Sequence, residues 1–337
     1  MIALAIILTT IILLALLRFG VRAEYSADGA VVKVRVGPLS VLIFPKKEKS
    51  REKKLKQAEG KKALKRAKKK SDKPKVKKPG DLKSFRYMML PPSKGQIRQY
   101  RDRCGEVKAY AEKHGLLVKG EMGVLMDFAI RFAGVENLVY AAVEDPGYLE
   151  ELLSMLWNWS VTRMEIALDE RPDLFMRRGW YENMSFWSPA MFRRFMKPYL
   201  EKEALWAHQA GAKLGYINTC AYMPLIDDFL DIGIDVLTGV DPVQDTQLDM
   251  ALLKEKTKGK ICLWGGGNGF VTLERGTPGD IRREVYRSAG ILAPGGGFIL
   301  TPVDNVTPAT DEVMGKVEVF LEAWKAIRTG HIPVDPA

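Results

Sequence analysis

Histidine and cysteine are scarce in this sequence, with three of each in 337 residues. Cys104, Cys220 and Cys262 stand far apart and form no Cys-x-x-Cys pair. That excludes a disulfide framework and fits a reducing compartment. With only His114, His208 and His331, a mechanism built on several imidazoles has little to work with. No Gly-x-Gly-x-x-Gly helix start and no Walker lysine occur, which argues against nucleotide binding. The folded part also lacks an excess of positive charge. The chain totals +11, but Lys46–Pro79 holds 18 Lys or Arg against 4 Asp or Glu. That stretch alone carries +14 and the remainder −3, so nucleic acid is not an expected partner of the folded part.

What is present is enough apolar material for a packed core, 47% of residues with 9% aromatic. Met1–Leu17 is uncharged and almost wholly apolar. As a helix it would run about 26 Å, the short end of a membrane span. Arg18 and Arg22 follow it and no basic residue precedes it, so an uncleaved single-pass anchor is expected, with the rest of the chain cytoplasmic. Val21–Tyr25 and Val31–Val36 alternate around Ser26-Ala27-Asp28-Gly29, which predicts a β-hairpin within residues 18–45 that Val41–Phe44 extends. Residues 46–83 read as a Lys-rich solvated linker that can also lie against anionic lipid. Residues 1–80 resemble the start of bacterial membrane-anchored proteins of unknown function (the DUF2953 type).

Beyond residue 84 short apolar runs alternate with helical stretches. The expected strands are Leu116–Gly120, Phe175–Gly179, Leu214–Asn218, Val236–Gly239, Ile261–Trp264 and Phe298–Thr301. Asp145-Pro146, Ser188-Pro189 and Thr277-Pro278 each put a capping oxygen before a proline, and Thr277 with Asp280 approximates a capping box. Strand–helix alternation implies a parallel α/β sheet, and an open doubly wound sheet and a closed barrel both fit it.

Four passages carry a family resemblance. Trp180–Met184 running into Ser188–Tyr199, Gly215–Cys220, Ile234–Leu237 with Asp241-Pro242, and Ile261–Gly266 with Leu292–Leu300 are similar, in order and spacing, to the superfamily of uroporphyrinogen decarboxylase (URO-D) and the corrinoid methyltransferases. The resemblance covers residues 84–330. It implies a TIM-like (β/α) barrel lacking its first strands, preceded by the transmembrane helix and the hairpin. It further implies a homo-oligomer or a partner that completes the barrel.

In such barrels chemistry sits at the carboxyl ends of the strands. Glu182, Asp241 and Asp304 are the candidate catalytic groups, with Glu182 as an acid or base tuned by Trp180 and Trp187. Asp241, before Pro242, either orients a substrate or caps the next turn. Glu121, Asn183, Asn218, Trp264 and Asn268 are the candidate substrate-binding residues. The Gly265–Gly269 run reads as a loop after a strand, able to let a phosphate approach the backbone. Gly295–Gly297 reads as a turn, His208 as a structural helix residue, and Trp157 and Trp159 as packing on a long helix.

Two chemistries remain open. URO-D-type decarboxylation of a tetrapyrrole-related or other carboxylate needs no cofactor, only an acid for the carbanion-like centre. Methyl transfer implies zinc and a corrinoid. The resemblance then puts Asn218 where that family has a histidine ligand, keeps Cys220 as a ligand, and has Asp304 at the later cysteine position. Cys220 with Asp304 and Glu182 is the donor set that remains. The same Asp304 stands at the decarboxylase's late histidine position. A third reading is a membrane-tethered, non-catalytic or chimeric protein with an incomplete barrel.

Overall fold

The computed structural model describes residues 19–26, 29–36, 39–44, 76, 78–123 and 125–329. The chain divides into two units, residues 1–73 and 74–337. In the first, strands β1 (Phe19–Ser26), β2 (Gly29–Val36) and β3 (Leu39–Phe44) form an antiparallel sheet in that order. Ser26 pairs with Gly29, so the β1–β2 connection is a two-residue hairpin loop. The apolar run 1–17 and the Lys-rich residues 46–75 lie outside the described residues. Among the described residues no helix is long and apolar enough to cross a membrane.

The second unit opens with helices α1 (Pro79–Arg86) and α2 (Lys94–His114). Leu82 and Phe85 of α1 are buried with Val76, and the Val76 amide donates to the Phe132 carbonyl at 2.9 Å. Folded structure thus begins inside the stretch read as a linker to residue 83. Lysine density hid a short apolar stripe, and that stripe is what docks.

Strands and helices then alternate. They run β4 (Lys119–Gly123), α3 (Met126–Ala133), α4 (Val135–Glu144), α5 (Pro146–Asp169), β5 (Leu174–Arg178), α6 (Pro189–Phe195), α7 (Lys197–Gln209), β6 (Lys213–Ile217), α8 (Ile226–Ile232), β7 (Val236–Val240), α9 (Met250–Thr257), β8 (Cys262–Asn268), α10 (Pro278–Leu292), β9 (Phe298–Val303) and α11 (Asp311–Arg328). The capping signals act as their chemistry requires. Asp145, Ser188 and Thr277 accept from the amides of Tyr148, Met191 and Asp280 at 3.1, 3.2 and 3.2 Å. Thr277 and Asp280 complete a reciprocal box.

All six strands of this sheet are parallel, in the order β4-β5-β6-β7-β8-β9. A doubly wound sheet reverses its order part-way, whereas each crossover here steps in the same direction. That one-way winding is consistent with a TIM-like barrel and does not match a doubly wound sheet. β4 and β9 are the sheet's two outer strands.

Side chains alternate across the sheet. Phe175, Leu214, Leu237 and Leu263 join the main core with buried residues of α3–α9. Glu121, Met176 and Gly215, aligned on β4, β5 and β6, share the opposite face. Two differences from the sequence reading have clear causes. The first strand begins at Lys119, because Gly115 ends α2 in the left-handed conformation and Leu116 and Leu117 stay exposed in the connection. Gly265–Asn268 belongs to β8 and is not a loop. At Gly265 φ is 150°, and a Cβ there would stand 2.3 Å from the Val240 carbonyl oxygen. Glycine is what lets β8 close against the irregular end of β7.

Candidate functional site at the strand ends

Two polar clusters form at the carboxyl ends of the strands. The first is sealed. Arg177, near the end of β5, donates from Nη1 to Glu182 at 2.8 Å and from Nε to Glu203 of α7 at 3.1 Å. All three side chains are fully buried. Glu182 also accepts from the Tyr216 hydroxyl at 2.8 Å and from the Met126 amide at 3.3 Å. Burial raises the pKa of both glutamates against the pull of Arg177, and Glu203 is pushed up to about 7. Burial opposes the Arg177 charge, but Glu182 and then Glu203 hold the guanidinium protonated, its pKa raised. Burial likewise raises Asp127 on α3, with Arg177, Arg178 and Arg131 opposing.

The sequence placed Glu182 among the catalytic groups and Asn218 among the substrate-binding ones, but both lie in this sealed cluster. Asn218 sits beside Tyr216, and neither Oδ1 nor Nδ2 makes a well-formed hydrogen bond. Asp127 Oδ1, Arg177 Nη2 and Glu203 Oε1 are also buried without one. Such a concentration of unsatisfied polar atoms is where internal water is normally held.

The second cluster is open on one side. Asp241 follows β7. Its Oδ1 accepts from the amides of Val243 and Gln244 at 3.0 and 2.9 Å, and its Oδ2 accepts from Asn268 Nδ2 at 2.6 Å. Asp241 therefore both caps the next turn and holds the end of β8. Its pKa is raised, first by burial and also by the charge of Asp304. Asn268 accepts from the Val271 amide, and its own amide donates to Glu284 of α10. Glu284 also accepts from the Thr272 hydroxyl, and burial raises its pKa. Asp304, directly after β9, is exposed and has a φ of 67°, an unusual value for a residue with a Cβ. Asp241, Asn268 and Asp304 are thus brought together from the ends of three adjacent strands.

The remaining candidates lie apart. Glu121 pairs with Lys119 at 2.8 Å and approaches Arg178 at 3.6 Å. Asn183 shapes its own turn, donating to the Trp180 carbonyl at 3.1 Å and accepting from the Ser185 amide at 3.0 Å. Trp264 is half-buried on β8. Cys220 is half-buried, 3.8 Å from the Ser185 hydroxyl. The neighbouring Ala221 has a φ of 49°, and its amide donates to Asp245. Tyr222 is buried with its hydroxyl unpaired, beside Asp245, Asp241 and Cys220. His208 binds Asp235 at 2.7 Å at the opposite end of the sheet.

The donor set expected for zinc does not fit. Among the described residues no three of His, Cys, Asp and Glu stand close enough to hold a metal ion. Glu182, the third donor that set needs, is committed to Arg177 and Tyr216.

The sequence reading missed Arg177, Glu203, Tyr216 and Glu284. Arg177 did leave a signal, an arginine pair ending an apolar strand run. Glu203 lies on the buried stripe formed by Leu200, Ala204 and Ala207. Nothing in the sequence marked Glu284.

A one-way-wound parallel sheet with its polar groups gathered beyond the strand ends makes this an α/β domain consistent with a TIM-like barrel. Within that class the chain belongs to the uroporphyrinogen decarboxylase (URO-D) family, whose model matches residues 69–327. Among solved structures it resembles a methyltransferase from Methanosarcina mazei, with a TM-score of 0.54 and 20% identity. The match covers 67% of this chain and 64% of that one, so the chain spans just under two-thirds of that protein's length. A dihydropteroate synthase from Anaplasma phagocytophilum aligns with a TM-score of 0.38 at 13% identity, over 64% of this chain and 75% of that one. No curated protein matches the sequence.

Proposed function

We propose that residues 74–329 form a URO-D-like domain that decarboxylates a carboxylate-bearing substrate, tetrapyrrole-related or otherwise, by acid–base chemistry at the open strand-end cluster. In such a step the bond to the carboxyl carbon breaks and CO₂ leaves. The electron pair stays on the substrate carbon, which takes a proton from an acid. The observation that carries this reading is Asp304, exposed beside the buried Asp241. Asp304 is the member a substrate can reach, while Asp241 and Asn268 are engaged with each other and act as positioning groups. No cofactor is needed for this step.

The test is anaerobic incubation of the full chain with uroporphyrinogen III, following CO₂ release. Sustained release is expected, and its absence with this and with smaller carboxylate substrates would end the decarboxylase reading. Two associations accompany the proposal. The apolar run 1–17 supports a membrane anchor, and the Lys-rich stretch supports contact with anionic lipid, both testable by sedimentation with phosphatidylserine vesicles. The outer strands β4 and β9 support completion of the sheet by a second copy or a partner.

A further inference from the structure

Arg163 on α5 is a cation built into place without a counter-ion. Nη1 donates to the Trp159 carbonyl at 2.8 Å and Nη2 to the Leu90 carbonyl at 2.9 Å. The guanidinium stacks 3.9 Å from the Trp159 ring centroid, and Trp159 Nε1 is itself fixed on Leu90 at 3.1 Å. Among the described residues no carboxylate pairs with it, and partial burial, with no opposing charge, depresses its pKa. Two backbone carbonyls occupy only part of its five-donor fork.

Arg163 lines a cavity of about 320 Å³ between α2, β4 and α5, within the size range of small-molecule sites. The other walls are mostly apolar: Ile97, Met122, Ile166 and Ala167, with the Tyr100 ring. Glu121 also lines the cavity, but Lys119 and Arg178 neutralise it. A half-buried, unpaired cation beside an apolar hollow is costly alone and favourable once an anion arrives with an apolar body.

We propose that this cavity binds an amphipathic monocarboxylate, its carboxylate on Arg163 and its aliphatic or aromatic body against Ile97, Met122 and Ile166. The site uses none of Asp241, Asn268 or Asp304, so it stands or falls independently of the decarboxylase reading.

Titration of the full chain with decanoate, followed by calorimetry and tryptophan fluorescence, tests it. One saturable site is expected below the concentration at which decanoate self-associates, with decanol and decyltrimethylammonium at least tenfold weaker. Arg163→Gln should weaken decanoate by about tenfold or more and remove the preference over decanol. Arg163→Lys should keep part of both. Ala167→Phe, which fills the cavity from the other wall, should abolish binding, while Asp304→Asn should leave it unchanged. Thermal melts of each variant separate lost binding from lost folding. No saturable binding by the folded wild type, equal binding of decanol, or undiminished binding by folded Arg163→Gln would overturn the proposal.

Discussion

Glu182 and Asp304 are both carboxylates placed just beyond a strand's carboxyl end, yet one is fully buried and the other exposed. The difference lies in what surrounds them. Glu182 turns back onto Arg177 and Tyr216 and is closed over by α3 and α7. Asp304 leaves β9 in a left-handed turn and stays exposed, beside the buried Asp241 whose pKa its charge helps to raise. A carboxylate locked against a buried guanidinium contributes to folding or to its pH dependence. A carboxylate at an open strand end can meet a substrate. Position after a strand therefore does not by itself expose a carboxylate in this fold, and the direction of the turn sets its burial.

The largest effect that would break this contrast belongs to Arg177. Arg177→Met leaves Glu182 and Glu203 buried without their cation, and a loss of about 3–5 kcal/mol is expected in urea unfolding of the full chain. A loss under about 1 kcal/mol would mean the cluster is not sealed as described. Next is Asp241→Ala, which strips two amides and Asn268 of their acceptor. It should cost about 1–3 kcal/mol. Glu203 adds a pH dependence. Its pKa is raised in the folded state to about 7, so its contribution is fully present below the unfolded value near 4.5 and is lost as pH rises through about 7. Arg177 and Glu182 act on this group directly, and Glu182 is coupled in turn to Tyr216 and Asp127, so the titration belongs to the cluster as a whole. Stability should fall between about pH 5 and pH 7.5, and Glu203→Gln should flatten that slope. A steeper slope in the variant would contradict the assignment. Smallest is Asp304→Asn, whose unfolding midpoint should match the wild type.

Much of the architecture was legible. The capping oxygens before Pro146, Pro189 and Pro278 marked helix starts because their chemistry is local. The six strands were legible as short apolar runs, with ends shifted where Gly115 and the Gly265–Gly267 run set the backbone. Strand order was not legible, since alternation alone permits two windings. The open cluster was legible in part, because Asp241 and Asp304 each follow a strand and Asn268 ends one. Its fourth member, Glu284, comes from a helix surface whose partners lie far away in sequence. The partners of the sealed cluster were hidden for the same reason. Glu182 gains its meaning from Arg177, Glu203 and Tyr216, and only folding brings these together.

The most direct test compares CO₂ release from uroporphyrinogen III by the full-length wild type, Asp304→Asn and Glu182→Gln, with unfolding of each measured in parallel. The account predicts that Asp304→Asn loses about 100-fold in turnover with an unchanged unfolding midpoint. It predicts that Glu182→Gln shifts the unfolding midpoint and keeps most of the turnover of its folded fraction. Full turnover in Asp304→Asn, or lost turnover in a fully folded Glu182→Gln, would contradict it.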